Sequence, residues 1–282
     1  MNLWIADAGG TKTSWLSSEG LLFEGSGINP NTMSENEILD SIPHVVLESN
    51  LTDLHFYGAG CSSESSVQKV NYAFHKVLPM AKRIEINHDI LGACRALCGN
   101  QPGIAGILGT GSNSALFDGQ NILKTVASPG FLFADEGGGT WLGKRLLLAY
   151  FRSDFSPALQ REWALTYPEW DTERLIRFAY GPELKGAWLA SFVPFMHRHM
   201  DSFPEMKSWV IEGFTLFIDQ HLMRYAEAKQ LPIHFTGSVA YFFHTQLSEA
   251  LKLKGMKLGR IVRRPIEGLA AFHGINLKST HV

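Results

Sequence analysis

Leu3-Trp4-Ile5-Ala6-Asp7-Ala8-Gly9-Gly10-Thr11-Lys12-Thr13-Ser14-Trp15-Leu16 opens the chain with an apolar run, a glycine turn and a second apolar run. About a hundred residues later the layout returns as Ile104-Ala105-Gly106-Ile107-Leu108-Gly109-Thr110-Gly111-Ser112-Asn113-Ser114-Ala115-Leu116-Phe117. Each pair of runs is followed by a tight turn (Ser18-Glu19-Gly20, Asp118-Gly119-Gln120) and a third apolar stretch, Leu21–Phe23 or Ile122–Leu123. Glycine lets the backbone turn its N–H groups into a concavity, and Thr and Ser hydroxyls add donors, so anions such as phosphates bind there. Two such hairpins imply a duplicated unit holding one polyphosphate between its copies.

The 282 residues suffice for one large domain or two ordinary ones, and 45% hydrophobic against 18% charged residues describes a globular protein with ample core. A formal net charge of −2 favours neither nucleic acid nor an anionic membrane as partner. No long uncharged apolar run is present, so neither a signal peptide nor a membrane span is expected, and the three sparse cysteines suit a reducing cytoplasm. Cys94 and Cys98 stand one helical turn apart, short of the four ligands of a zinc site.

Outward from the first turn, residues 34–49 read as a helix with Ser34 as N-cap. Strands are expected at Leu54–Tyr57 and Ile84–Asn87, and helices at Val67–Leu78 and Ile90–Cys98. Past residue 120 the pattern turns helical, with Thr140–Phe151, several short helices over 157–200, and a long helix Ser208–Lys229. A strand at Ile233–Phe235 runs into Gly237-Ser238-Val239-Ala240, and Arg264-Pro265-Ile266-Glu267-Gly268 ends a strand and starts the last helix, Leu269–His273. The alternation predicts an α/β fold of two domains around a cleft.

Several polar residues are placed for chemistry. Asp7 ends a strand before the glycines, where a carboxylate holds Mg²⁺ through waters, or else bonds its own turn. Lys12 reads equally as a phosphate partner or a solvated hairpin lysine. Asp89 lies where a strand becomes a helix; it is expected as N-cap and, facing the crevice, as the acceptor that orients an attacking hydroxyl. His88, one strand position away, is expected on the opposite face. Asp135 and Glu136 precede Gly137-Gly138-Gly139, which suggests a carboxylate aimed at a polar ligand with backbone close by. Gly138–Arg145 misses the P-loop pattern at its last position, and Gly58-Ala59-Gly60-Cys61-Ser62-Ser63 falls short of a dinucleotide fingerprint.

Together these motifs resemble the N-acetylglucosamine kinase and BadF/BadG ATPase branch of the sugar kinase, heat-shock cognate and actin superfamily. Asp7–Thr13 resembles its first phosphate motif, Gly109–Ser114 its second and Gly237–Ala240 its adenosine motif, in the family's order. The resemblance implies two ribonuclease-H-like domains flanking a nucleotide and sugar cleft, expected at residues 1–117 and 118–268, with the C-terminal helix 269–282 joining the first. It implies Mg²⁺-ATP as donor and an amino sugar as acceptor, most directly the 6-OH of N-acetylglucosamine. Gly9, Gly10, Thr11, Lys12, Thr13, Gly109, Thr110, Gly111 and Ser112 would meet phosphate. Gly237, Ser238 and Ala240 would meet adenosine, and Asn29, Asp89, Thr110 and Asp135 the sugar. Asp89 would be catalytic and Asp7 would organise Mg²⁺. The alternatives are a BadF-type activator with a shared iron–sulfur cluster and a nucleotide-dependent sensor; a homodimer is left open. The chain departs from animal relatives in the sugar pocket: Asn31 replaces a tryptophan, and Val126, Ser128 and Pro129 replace a cysteine and a Gly-Trp pair.

Overall fold

The computed structural model describes residues 2–181 and 184–276. Strands β1 (Leu3–Ala8), β2 (Lys12–Ser17) and β3 (Leu22–Ser26) form an antiparallel meander. Helices α1 (Glu35–Asp40) and α2 (His44–Leu47), strand β4 (Asp53–Gly58), helix α3 (Glu64–Val77) and strand β5 (Arg83–His88) follow. The sheet order is β3-β2-β1-β4-β5, with β4 parallel to both β1 and β5.

After α4 (Asp89–Cys98) the pattern repeats with β6 (Gly103–Leu108), β7 (Ser112–Phe117) and β8 (Ile122–Thr125). Six helices come next: α5 (Gly139–Phe151), α6 (Pro157–Thr166), α7 (Thr172–Ala179), α8 (Gly186–Ala190), α9 (Val193–His199) and α10 (Pro204–Gln220). The chain closes with β9 (Ile233–Thr236), α11 (Ser238–Phe242), α12 (His244–Leu253), β10 (Leu258–Val262) and α13 (Ile266–Phe272). The second sheet runs β10-β9-β6-β7-β8, with β9 parallel to β6 and β10. The two sheets therefore share one strand order and one set of pairing senses, as the duplicated hairpins require. Both hairpin tips even reuse a left-handed glycine, Gly20 at φ 86° and Gly119 at φ 104°.

The expected boundary at 117/118 cuts this second sheet between β7 and β8. The sheets divide instead ahead of Gly103, because Ile104 pairs with Ile233 and Ile107 with Thr236. Those partners lie far along the chain, out of reach of local pattern. Helix α4 bridges the halves: Ile90, Ala93, Cys94 and Leu97 pack on Ala105, Ala115 and Phe117 of the second sheet. In exchange α13 sets Ile266, Leu269 and Ala270 against Ile5, Leu16 and Tyr57 of the first. Helix α13 begins at Ile266 rather than at 269; positions 277–282 of the expected span lie outside the described residues.

Two helix expectations change. The expected 34–49 helix starts as read, with a Ser34–Glu37 capping box, but Pro43 breaks it into α1 and α2. Proline lacks the N–H for the ladder and disfavours helical backbone in the residue before it. The expected 208–229 helix ends at Gln220 and gives way to two 3₁₀ turns, Leu222–Arg224 and Ala226–Lys229. Leu222, Tyr225 and Ala228 are all buried at a spacing of three, the period of a 3₁₀ helix.

Candidate active site

The first glycine turn joins β1 to β2. Gly9 closes it by donating its N–H to the Lys12 carbonyl at 2.9 Å, while the N–H groups of Gly10 and Thr11 find no partner among the described residues. A Cβ built on Gly10 would meet nothing within 4 Å, so this backbone faces open cleft. From behind, Gly27 supports the turn so closely that a Cβ there would fall 2.6 Å from Gly10 C and Thr11 N. Lys12 is exposed at the head of β2. Thr13 corrects the sequence reading: it is fully buried and its hydroxyl donates to the Ser26 carbonyl at 2.8 Å, inside the sheet. Period-two alternation past the turn sends it to the face opposite Lys12.

The second turn repeats the plan. Gly109 N–H donates to Gly111 O at 3.0 Å, and the N–H groups of Thr110 and Gly111 are left without partners among the described residues. A Cβ on Gly109 would meet nothing within 4 Å. Ser112 is the second correction. Its N–H is held by Asp135 Oδ1 at 3.0 Å and its hydroxyl is buried without a partner, so it lies under the turn rather than at its open side.

Asp7 sits in a cross-strand row with Ser14 and Glu24 on one side and Tyr57 and Asn87 on the other. Burial, then the charge of Asp89, then that of Glu24 push its carboxyl up to about 7. Glu24 itself is held by Ser14 Oγ at 2.9 Å and by Arg264 at 3.0 Å, a tie from the chain's C-terminal segment to its first meander. Carboxylates that raise one another's affinity for protons are relieved equally by a divalent cation. Among the described residues no group of three or more His, Cys, Asp or Glu is placed to hold a metal. Mg²⁺ does not require one, since it keeps several waters and takes one or two carboxylates plus substrate phosphates. Asp7 fits that manner of binding.

Asp89 is the first residue of α4, and the cap position belongs to His88, correcting the expected N-cap. The Ile90 N–H donates to Asp89 Oδ1 at 2.7 Å, and His88 Nδ1 lies 2.5 Å from the same oxygen. The expectation that His88 faces away fails because the strand ends at His88, and the turn into the helix swings Asp89 alongside it. Burial lowers the affinity of His88 for a proton, but its bond to Asp89 and that residue's charge outweigh burial and leave the net shift upward. Asp89 Oδ2 makes no hydrogen bond among the described residues, so one oxygen is held and the other is free to accept.

Asn29 lies in the loop after Gly27. Its Oδ1 accepts the Asn31 N–H at 3.0 Å, and its carboxamide packs on Gly60, whose Cβ would fall 3.1 Å from Asn29 Cγ. The neighbouring Cys61 thiol is pushed up to about 12 by burial and by the charge of Asp89. Cys94 and Cys98 are buried in α4, and burial raises both thiols, Cys98 to about 11. Such thiols are poor cluster ligands.

Gly237, at φ 109°, sits against the second turn: a Cβ there would collide with Leu108 O and fall 2.9 Å from Gly109 N. Ser238 and Val239 follow into a cavity of about 610 Å³ that also takes in Thr11, Gly109 and Thr110. One residue of the first turn and two of the second thus open on one space together with Ser238 and Val239, and its size suits a nucleotide. Ala240 does not take part; it is fully buried in the second domain's core. The far wall was not legible in sequence. Val193, Pro194, His197 and Arg198 come from α9, with Phe242 and Phe243 beside them. His197 lies 5.3 Å and 5.4 Å from those two rings. Nothing in the aromatic-rich stretch 157–200 distinguishes wall from core before folding.

No protein-family model and no curated protein matches the chain. Among solved structures it is similar to the "Putative N-acetylglucosamine Kinase" of Porphyromonas gingivalis, at 36% identity over 99% of this chain and 100% of that one, with a TM-score of 0.88. A protein of the same description from Chromobacterium violaceum shares the fold at 17% identity and TM-score 0.73, over 96% of this chain and 98% of that one. So does a ROK family glucokinase from Streptomyces griseus, solved with glucose and AMPPNP, at 12% identity and TM-score 0.52 over 98% of each chain. With two five-stranded sheets of one topology and a full-length relative at 36% identity, the chain belongs to the N-acetylglucosamine kinase branch of the sugar kinase, heat-shock cognate and actin superfamily.

Proposed function

We propose that the protein is an ATP-dependent kinase that transfers the γ-phosphoryl group to a hydroxyl of an amino sugar, with the 6-OH of N-acetylglucosamine as the acceptor. The observation that carries this reading is Asp89: one oxygen is fixed by the backbone, the other is free, and its charge is felt by Asp7 and by Cys61, next to the Gly60 that packs on Asn29. Asp89 Oδ2 accepts the hydrogen bond of the attacking hydroxyl, aims its oxygen and takes its proton late in the transfer. Gly10, Thr11, Thr110 and Gly111 direct unpaired N–H groups at the phosphates, and Lys12 adds a cation. Ser238 and Val239 receive the nucleoside, and Asn29 and Thr110 hold the sugar. Asp7 holds Mg²⁺ through water; when bound, the ion neutralises charge on the phosphates.

Coupled ADP release with Mg²⁺-ATP tests this, screening N-acetylglucosamine, N-acetylmuramic acid, N-acetylmannosamine, glucose and buffer. Sugar-dependent turnover is expected, falling by about 10²–10⁴-fold in Asp89→Asn with sugar affinity retained. Equal ADP release in every well would make the protein an ATPase instead.

A further inference from the structure

A second concavity, of about 450 Å³, is enclosed by the segment between β8 and α5 together with the end of α10 and the 3₁₀ turn after it. Neither Asn29, Asp89, Thr110 nor Asp135 lines it, and all of its lining residues belong to the second domain. The enclosing segment turns its other side to the second glycine turn. Ser128 Oγ donates to Ser112 O at 2.7 Å, and a Cβ on Gly111 would fall 2.6 Å from Asp135 Oδ1. The concavity therefore lies behind the cleft and is separate from it.

Its polar lining is graded. Lys124 and Arg224 are exposed, and Glu136 and His221 are set deeper. The Glu136 side chain is 22% exposed, and its one polar contact among the described residues is His221 Nε2 at 3.5 Å, beyond the usual length of a hydrogen bond. His221 is 2% exposed, its ring stacks 4.8 Å from that of Phe217, and its Nδ1 is buried without a partner. Burial lowers the affinity of His221 for a proton more than the charges of Glu136 and Asp135 raise it, so the ring stays neutral and does not compensate the carboxylate. A carboxylate so enclosed is costly until donors reach it. Lys124 Nζ donates to the Arg224 carbonyl and lies 5.8 Å from the centre of the Tyr225 ring, which fixes the turn that carries Arg224. The apolar share of the lining comes from Val126, Pro129 and Phe133, and Phe133 is 81% exposed.

The geometry points to a second sugar subsite here, taking a hexose that carries one anionic group, with Glu136 accepting from its hydroxyls and Arg224 pairing with the anion. The ring's C–H surface packs on Phe133, a large apolar side chain otherwise left in water. Hydroxyls supply the donors that Glu136 lacks, and a phosphate or carboxylate meets the guanidinium in a charge-assisted bond. The cavity is smaller than the one that suits a nucleotide, and its few convergent polar groups on an apolar wall are the usual make-up of a small-molecule site.

The test is calorimetry and NMR on the full chain, with the cleft first saturated by Mg²⁺-AMPPNP and N-acetylglucosamine. N-acetylglucosamine 6-phosphate and N-acetylmuramic acid are then titrated, with inorganic phosphate and glucose as controls. One further equivalent of an anionic sugar is expected to bind and to move the ring signals of His221; whichever of the two binds tighter identifies the anion as phosphate or carboxylate. Arg224→Ala should weaken this binding by about 10–100-fold and Phe133→Ala by about 2–10-fold. Both side chains are exposed, so both variants should fold and keep their basal turnover. No further equivalent, glucose or phosphate bound as tightly as the anionic sugars, or binding that both variants leave unchanged would overturn the proposal. A protein that transfers no phosphoryl group yet keeps Arg224-dependent binding would overturn the kinase reading and leave this subsite standing.

Discussion

Replacing Gly237 by alanine probes how tightly the turn at Gly237 and the second glycine turn are joined. Gly237 has φ 109° and ψ 157°, a region open essentially to glycine alone, and holding alanine there costs about 1–3 kcal/mol. The new methyl would lie 2.6 Å from the Leu108 carbonyl carbon, where 3.4 Å is the near edge of ordinary contact. Relief therefore moves the Leu108–Gly109 peptide by about 0.8 Å, and overpacking of this kind adds about 1–3 kcal/mol. The expected destabilisation is the sum, about 2–6 kcal/mol, read as a shift in the urea unfolding midpoint. The function should suffer beyond stability, because a misplacement near 1 Å in a positioning element lowers catalytic efficiency by about 10²-fold. That loss should fall on kcat/KM for ATP in the coupled ADP assay, at a temperature where the variant is folded. Gly10→Ala is the counterpart: its methyl meets no protein atom within 4 Å and its φ is not left-handed. It should leave the unfolding midpoint nearly unchanged and still weaken nucleotide binding by occupying phosphate space. A Gly237→Ala protein within about 1 kcal/mol of wild type in stability, with unaltered ATP kinetics, would refute the reasoning.

Acid should weaken the attachment of α13. Burial, with the charges of His55 and Arg95, lowers His273 to about 4, and Tyr57 OH bonds its Nε2 at 2.8 Å. A histidine depressed in the folded state stabilises it fully above its ordinary value of about 6.5, and this contribution is lost as pH falls from there toward the folded value. Between pH 7 and 5 the wild type should lose up to about 2 kcal/mol more than His273→Gln in denaturant titrations, and equal losses would count against it. Gly268→Ala should loosen the same helix, since its Cβ would fall 2.8 Å from Ala96 C and Cα in α4 and collide with Ala96 O. A loss of about 1–3 kcal/mol is expected, and a neutral result would show that α13 shifts freely on α4.

Much of this architecture is legible before folding. The apolar runs and glycine turns at 3–16 and 104–117 specify two meanders, because strand burial has a period of two and a turn needs flexible residues. The strand-to-helix junction at Asp89 was legible for the same reason. What eluded reading was partner choice and side-chain direction. The assignment of β6 and β7 to the second sheet rests on pairing with β9, which local pattern does not encode. The inward turn of Thr13 and Ser112 depends on where each strand's alternation begins. His88 meets Asp89 only because the strand stops one residue earlier than the helix begins.

The sequence by itself determined the duplicated unit, the order of its motifs and the residue types at the cleft. These are local properties: short-range periodicity and the backbone freedom of glycine. The tertiary structure decided which polar groups face the cleft and which are consumed in building it. It turned Asp135 beneath Gly111, buried Ala240, and brought α9 in as a wall of the cavity on which both glycine turns open. Each of those outcomes depends on contacts between segments far apart in the chain, and only the packed fold brings such segments together.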